Sequence, residues 1–178
     1  MKFLWTILTL LLVANSSLFP QHLNMGTMNK SVGARFFGIS GIYSSNTGLF
    51  CRGAGDVDGD KVKDFLIGAP ATTSLQGGAT NAGQVYVLYG QQNTTAAMGI
   101  WGSDFNLSTL VSNPLIGRVI DGAVANTYLG TSVSTAGDFN ADGLSDVLIG
   151  APAWNSNQGK AFVVFGKAKK SSNHTPCS

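Results

Sequence analysis

The chain has 178 residues, of which 23 are glycine and only 11% are charged, a composition unlike that of an ordinary cytosolic domain. Its formal net charge is +2, and its one close group of lysines, Lys167, Lys169 and Lys170, lies near the C-terminus. That group reads as a solvated end, and no clustered basic surface of the kind nucleic-acid binding demands is expected.

The acidic residues are all aspartate. Seven of them (Asp56, Asp58, Asp60, Asp64, Asp138, Asp142 and Asp146) fall in two short loops, so negative charge is concentrated at two points instead of being scattered for solubility.

At the N-terminus, Lys2 precedes the apolar run 3–14, and Ala14, Asn15 and Ser16 put small residues where a signal peptidase cuts. Residues 1–16 therefore read as a secretory signal peptide. The other reading, a retained anchor, runs against the roughly 20 apolar residues a bilayer span needs; no membrane span is expected after cleavage. Export agrees with glycosylation acceptor patterns at Asn29, Asn93, Asn106 and Asn173. In an oxidising compartment Cys51 and Cys177 could form a disulfide, with a buried free Cys51 as the alternative.

Residues 17–34 form an N-terminal extension, after which the chain reads as β. A candidate strand at 35–41 (RFFGISG) opens a first unit, 35–90, with further strands at 49–55 (LFCRGAG), 64–70 (DFLIGAP) and 84–90 (QVYVLYG). Residues 91–114 read as an ordered linker packed on the sheet edge, anchored by Trp101, Phe105 and Leu107, with no helix of useful length. A second unit, 115–166, repeats the pattern with 115–122 (LIGRVIDG), 131–137 (TSVSTAG), 146–152 (DVLIGAP) and 160–166 (KAFVVFG), and a polar tail, 167–178, follows.

Self-comparison aligns Gly48 with Gly130, Asp56 with Asp138 and Leu66-Ile67-Gly68-Ala69-Pro70 with Leu148-Ile149-Gly150-Ala151-Pro152. Four short strands per unit make a small antiparallel sheet. The second and third aligned strands are apolar on both faces, so each sheet should be covered on both sides, and radial stacking as in a β-propeller satisfies that requirement. The segment 35–41 is also a candidate fourth strand for the second sheet, in the same chain or a neighbour.

The loop between the first two aligned strands carries the chemistry. In the second unit, Asp138, Asn140, Asp142 and Asp146 place oxygen side chains at positions 1, 3, 5 and 9. Gly143 at position 6 permits the sharp turn, and the Leu144 carbonyl at position 7 can join them. Hard oxygen donors with three carboxylates suit Ca²⁺ better than zinc or copper, and Mg²⁺, which demands near-octahedral geometry, fits a flexible loop less well. An EF-hand is excluded, because position 12 is Ile149, or Ile67 in the first unit, inside a β-rich run where that motif needs glutamate.

The double match of carboxylate loop and LIGAP strand, followed by the GQVYVLYG and GKAFVVFG strands, resembles the FG-GAP repeat of integrin α-subunit β-propellers and related secreted proteins. The namesake Phe-Gly is only weakly present, as Tyr128-Leu129-Gly130 and as Thr47-Gly48. The resemblance covers about residues 35–166 and implies an all-β fold of two FG-GAP blades in a partial or oligomer-completed propeller. It also implies structural Ca²⁺ held by Asp138, Asn140, Asp142, Leu144 and Asp146, and by Asp56, Asp58, Asp60, Val62 and Asp64 in the first unit. There Lys61 stands at position 6, where glycine is expected; the strain of a left-handed lysine, roughly 1–2 kcal/mol, and its charge predict weaker binding by the first loop.

By the same resemblance the chain is a secreted module for extracellular protein interaction or adhesion, with extracellular proteins or copies of itself as partners. The alternatives are a structural subunit of a larger assembly and a fragment of a longer propeller. No enzyme is expected: the two histidines, His22 and His174, lie outside the units, and Asp104 and Asp121, the acids outside the loops, read as turn or strand-end residues.

Overall fold

In the computed structural model, residues 25, 34–38, 45–91 and 104–169 are described. The expected signal peptide, Trp101, His22, His174, Cys177 and the acceptor asparagines Asn29, Asn93 and Asn173 lie outside them.

The aligned strands form where the apolar alternation places them. In the first unit β2 (Phe50–Gly55), β3 (Asp64–Ala69) and β4 (Gln84–Leu88) pair antiparallel, as do β7 (Ser132–Gly137), β8 (Asp146–Ala151) and β9 (Lys160–Val164) in the second. The repeat extends to the irregularities: β2 slips register between Gly53 and Gly55, and β7 slips between Thr135 and Gly137. An extra residue at that place strengthens the local twist and turns the chain into the carboxylate loop.

The strands between the units do not sit where the sequence suggested. The candidate at 115–122, expected to lead into the second unit, is β6 (Gly117–Asp121), which pairs antiparallel with β4 and completes a four-stranded sheet of order β2-β3-β4-β6. Its end is tied down by the Asp121 carboxylate, which accepts hydrogen bonds from Gln84 Nε2 (2.9 Å), Ser74 Oγ (2.7 Å) and Leu75 N–H (2.9 Å). Among the described residues the second sheet has three strands, β7-β8-β9.

The described part of the segment 35–41 does not join the second sheet either. Its described strand, β1 (Arg35–Phe37), belongs to neither blade sheet and pairs parallel with β5 (Asp104–Asn106) of the linker. Phe36 stacks against Phe65 (5.2 Å) and Phe105 (5.8 Å), and Arg35 pairs with Asp104 at 2.6 Å. With the single turn α1 (Thr109–Ser112), these segments pack on a face of the first sheet, not its edge. As expected, Phe105 and Leu107 are buried anchors.

Successive strand residues point to opposite faces, and this sorts the core into two clusters. Leu66, Val85 and Val87 face the second sheet, meeting Val133, Val147 and Ile149 with Phe50, Phe162 and Val164 alongside. On the opposite face Ile67, Tyr86 and Leu88 meet Phe36, Phe105, Leu107, Leu110 and Ile116. Gly68 marks one close approach of the units, since a Cβ there would collide with the Gly130 carbonyl oxygen.

The first sheet is thus covered on both faces, as its doubly apolar strands require. The second is not. Its face carrying Leu148, Ala161 and Val163 meets no described element, although the register puts these residues side by side. Cys51, one of whose expected states was a buried thiol, is exposed and free.

Candidate metal centre

Both loops fold by closely similar hydrogen bonds, which follow from putting short carboxylates at alternate positions of a tight turn. At position 1, Asp56 accepts the N–H groups of Gly59 (2.7 Å) and Lys61 (2.9 Å), and Asp138 accepts those of Asp142 and Gly143 (both 2.9 Å). At position 5, Asp60 accepts from Val62 (2.8 Å) and Asp142 from Leu144 (2.9 Å). Aspartate is suited to this because its side chain reaches backbone N–H groups a few residues ahead.

Position 9 is different in kind. One Asp64 oxygen accepts the Val57 N–H and the other the Gly90 N–H, both at 2.7 Å, while Asp146 accepts from Phe139 and Gly166, both at 2.8 Å. Each carboxylate therefore clips its loop to the residue that leaves the third aligned strand, and both are buried. Burial, with Asp58 and Asp60 nearby, pushes the Asp64 carboxyl up to about 6, against the pull of its two backbone bonds.

In the first loop Asp56, Asp58 and Asp64 bring one oxygen each to within 4.8 Å of one another. The donor set is all oxygen, as a hard divalent cation prefers. Asp58 is only 2% exposed, and its Oδ2 is in contact with the Lys169 ammonium. These features fit a cation site. In the second loop position 3 is Asn140, whose amide donates to Asp142 at 2.8 Å, and residues 138–143 are all exposed.

The backbone corrects the strain expected to separate the loops. Each has positive φ at positions 4 and 6: Gly59 (79°) and Lys61 (69°) in the first, Ala141 (59°) and Gly143 (88°) in the second. Each loop thus holds one glycine and one non-glycine residue in the left-handed region, so the steric cost is shared equally.

What does separate them is their surroundings. The Asp56 carbonyl accepts the Ser145 N–H at 2.8 Å while the Asp56 N–H donates to Ser145 Oγ at 3.1 Å. Val57 and Asp58 carbonyls accept from Lys167 (2.8 Å) and Lys169 (2.9 Å). The second unit and the first residues of the tail after it thereby brace the first loop. Lys169, expected in a solvated end, instead sends its ammonium to Asp58 and to Asp60, the latter at 3.3 Å, and lies 4.7 Å from the centre of the Tyr89 ring. Nothing near it in sequence signalled this, because the contact spans the two units.

Of the acids outside the loops, Asp104 is held by Arg35 and Asp121 by the hydrogen bonds that pin β6. An apolar cleft of about 200 Å³ lies between the sheets, lined by Ile120, Leu129, Ile149, Trp154 and Phe162 among others, away from both loops.

The FG-GAP repeat family matches residues 53–88 and 129–164, which are the two loop-and-strand units. The chain is 29% identical over 132 residues to integrin alpha-PS2 of Drosophila melanogaster, covering 73% of this chain and 8% of that protein. It is 36% identical over 97 residues to integrin alpha-M of Mus musculus (54% and 7%). It is also 27% identical over 125 residues to the phosphatidylinositol-glycan-specific phospholipase D of Homo sapiens (68% and 13%). The chain thus spans about a tenth of the length of these relatives.

Proposed function

Given that the chain is an integrin-α-like protein carrying two FG-GAP repeats, we propose that it is a secreted, calcium-binding propeller module for extracellular protein interaction or adhesion. The observation that carries this reading is the mismatch between equivalent positions of the two blades. Val57, Leu66 and Tyr89 are 7%, 0% and 6% exposed beneath the second blade, whereas their counterparts Phe139, Leu148 and Phe165 are 68%, 40% and 54% exposed. Large apolar side chains left open on one sheet face mark an interaction surface. The open face is the copy of one that already binds a blade.

Bound Ca²⁺ would neutralise carboxylates gathered into one turn, with Asp56, Asp58, Asp60 and Asp64 and the Val62 carbonyl around it in the first loop. Asp138, Asn140, Asp142 and Asp146, with the Leu144 carbonyl, would hold it in the second. The role is structural: the turns join β2 to β3 and β7 to β8, so fixing them holds those strands in register. Among the described residues no helix is long and apolar enough to cross a membrane.

The partners are extracellular proteins or copies of this chain. The other face of the first sheet is already covered by β1, β5 and α1, so copies cannot stack head to tail through it unless that layer moves, which leaves a face-to-face pair as the accessible form of self-association. Light scattering on the secreted protein in millimolar calcium tests this. A monomer or dimer that captures a different extracellular protein in a calcium-dependent pull-down agrees with the reading. A monomer that captures nothing with or without chelator contradicts it. A structural subunit is the second reading, favoured by the same open face, and recovery of only the chain itself in the pull-down would select it.

A further inference from the structure

The first loop contains a cation of its own. The Lys169 main-chain N–H donates to the Asp58 carbonyl at 2.9 Å, and its ammonium reaches back to Asp58 Oδ2 and Asp60 Oδ2 of the same loop. Asp58 has its side chain wholly buried, and the Lys169 side chain is 28% exposed. The Tyr89 ring flanks the ammonium at 4.7 Å, adding the attraction of its π-face. Among the described residues no ion pair reaches Asp138, Asp142 or Asp146. Among the described residues, the first of the two duplicated loops has an ammonium against its carboxylates and the second has none.

We propose that Lys169 is a tethered competitor for the first loop: its ammonium holds Asp58 and Asp60 when no metal is bound, and a divalent cation enters only by displacing it. The inference rests on the reading of the loops as cation sites. A group fixed next to its site acts at an effective concentration of about a millimolar or more, and here the backbone bonds of Lys167 and Lys169 set the tether. Asp58 and Asp60 supply two of the side-chain donors a divalent ion requires, so ion and ammonium exclude each other. The first loop then stays closed without calcium, and the second, which has no such group among the described residues, depends on it.

The test is a calcium titration by calorimetry in an Asp142→Ala background, which silences the second loop. Lys169→Met keeps the length and apolar stem of the side chain without its charge, and is expected to tighten binding at least tenfold; Lys169→Arg is expected to return the weak affinity of the parent. In chelator, Lys169→Met should speed hydrogen exchange of the Val57, Asp60 and Val62 amides at least tenfold. Should the methionine variant not fold, Lys169→Gln carries the same comparison.

Affinities for Lys169→Met and parent that agree within twofold would overturn the proposal, as would no binding by Lys169→Met in a protein whose second loop, left intact, binds calcium. Absence of calcium binding by the unsubstituted protein is a separate failure: it removes the cation reading, and this inference with it.

Discussion

The two carboxylate loops are one motif in two settings, and the difference lies in what surrounds them. The loop at 56–64 is braced by Ser145 of the second blade and by Lys167 and Lys169 just after it. The loop at 138–146 has closely similar internal bonds but stands open at its first six positions. Blade stacking therefore does two things at once: it buries the sheet face and it holds the loop at the end of that face. A blade with no neighbour on that side loses both.

The widest contrast should appear in the core. Leu66→Ala removes a fully buried side chain between the blades and should cost about 2–5 kcal/mol, whereas Leu148→Ala, at the equivalent but open position, should change stability by about 0.5 kcal/mol or less. Chemical denaturation of the two variants checks it, and similar losses would show that the second face is covered after all.

Next in size is position 9, where the loops should behave alike. Asp64→Ala or Asp146→Ala strands two backbone N–H groups, each worth about 1–3 kcal/mol when left unpaired out of water. Both variants should fall by similar amounts in chelator; a loss confined to calcium-loaded protein would mean that these carboxylates act only as ligands.

Smaller still are the left-handed residues. Lys61→Gly and Ala141→Gly should each stabilise by about 1 kcal/mol or less, and by matching amounts, since each loop holds one such residue. Thermal melts in chelator read the difference; a gain for Lys61→Gly alone would restore strain as what distinguishes the loops.

The last effect is one of pH. The Asp64 carboxyl, pushed up to about 6 from an ordinary 3.8, binds its proton more tightly in the folded protein than in the unfolded chain. Its contribution to metal-free stability is therefore fully present below about 3.8 and is lost as pH rises through about 6. A bound cation favours the carboxylate and opposes that trend. Melting temperatures between pH 4 and 7, in chelator and in calcium, should diverge as pH rises, and Asp64→Asn should reduce the divergence.

Most of this architecture is written in the chain. The six blade strands fall within a residue or two of the positions given by their apolar runs, because a doubly apolar stretch bounded by glycine and proline leaves few alternatives. The loops were equally legible, down to the aspartates that carry the turn.

The partners of isolated strands were not. The run at 115–122 announces a strand but contains nothing that says whether it pairs with β4 or leads into β7; its placement is decided by the free edge of β4 and by Gln84 and Ser74 reaching Asp121. The short β1 was similarly claimed by Phe65 and Phe105, which are distant in sequence. Lys169 escaped notice for the same reason, since a lysine in a basic tail looks solvated until the fold brings a buried aspartate beneath it. The sequence also placed the strain of the first loop at Lys61 without seeing that Ala141 carries its equal.

Hydrogen exchange across both loops, with and without calcium, tests the central claim that one loop is braced by its neighbour and the other depends on the ion. The account predicts that calcium slows exchange of the Asp142, Gly143 and Leu144 amides at least tenfold, while those of Gly59, Lys61 and Val62 are already protected in chelator and change little. Unchanged exchange at 142–144, or a larger calcium effect at 59–62, would contradict it.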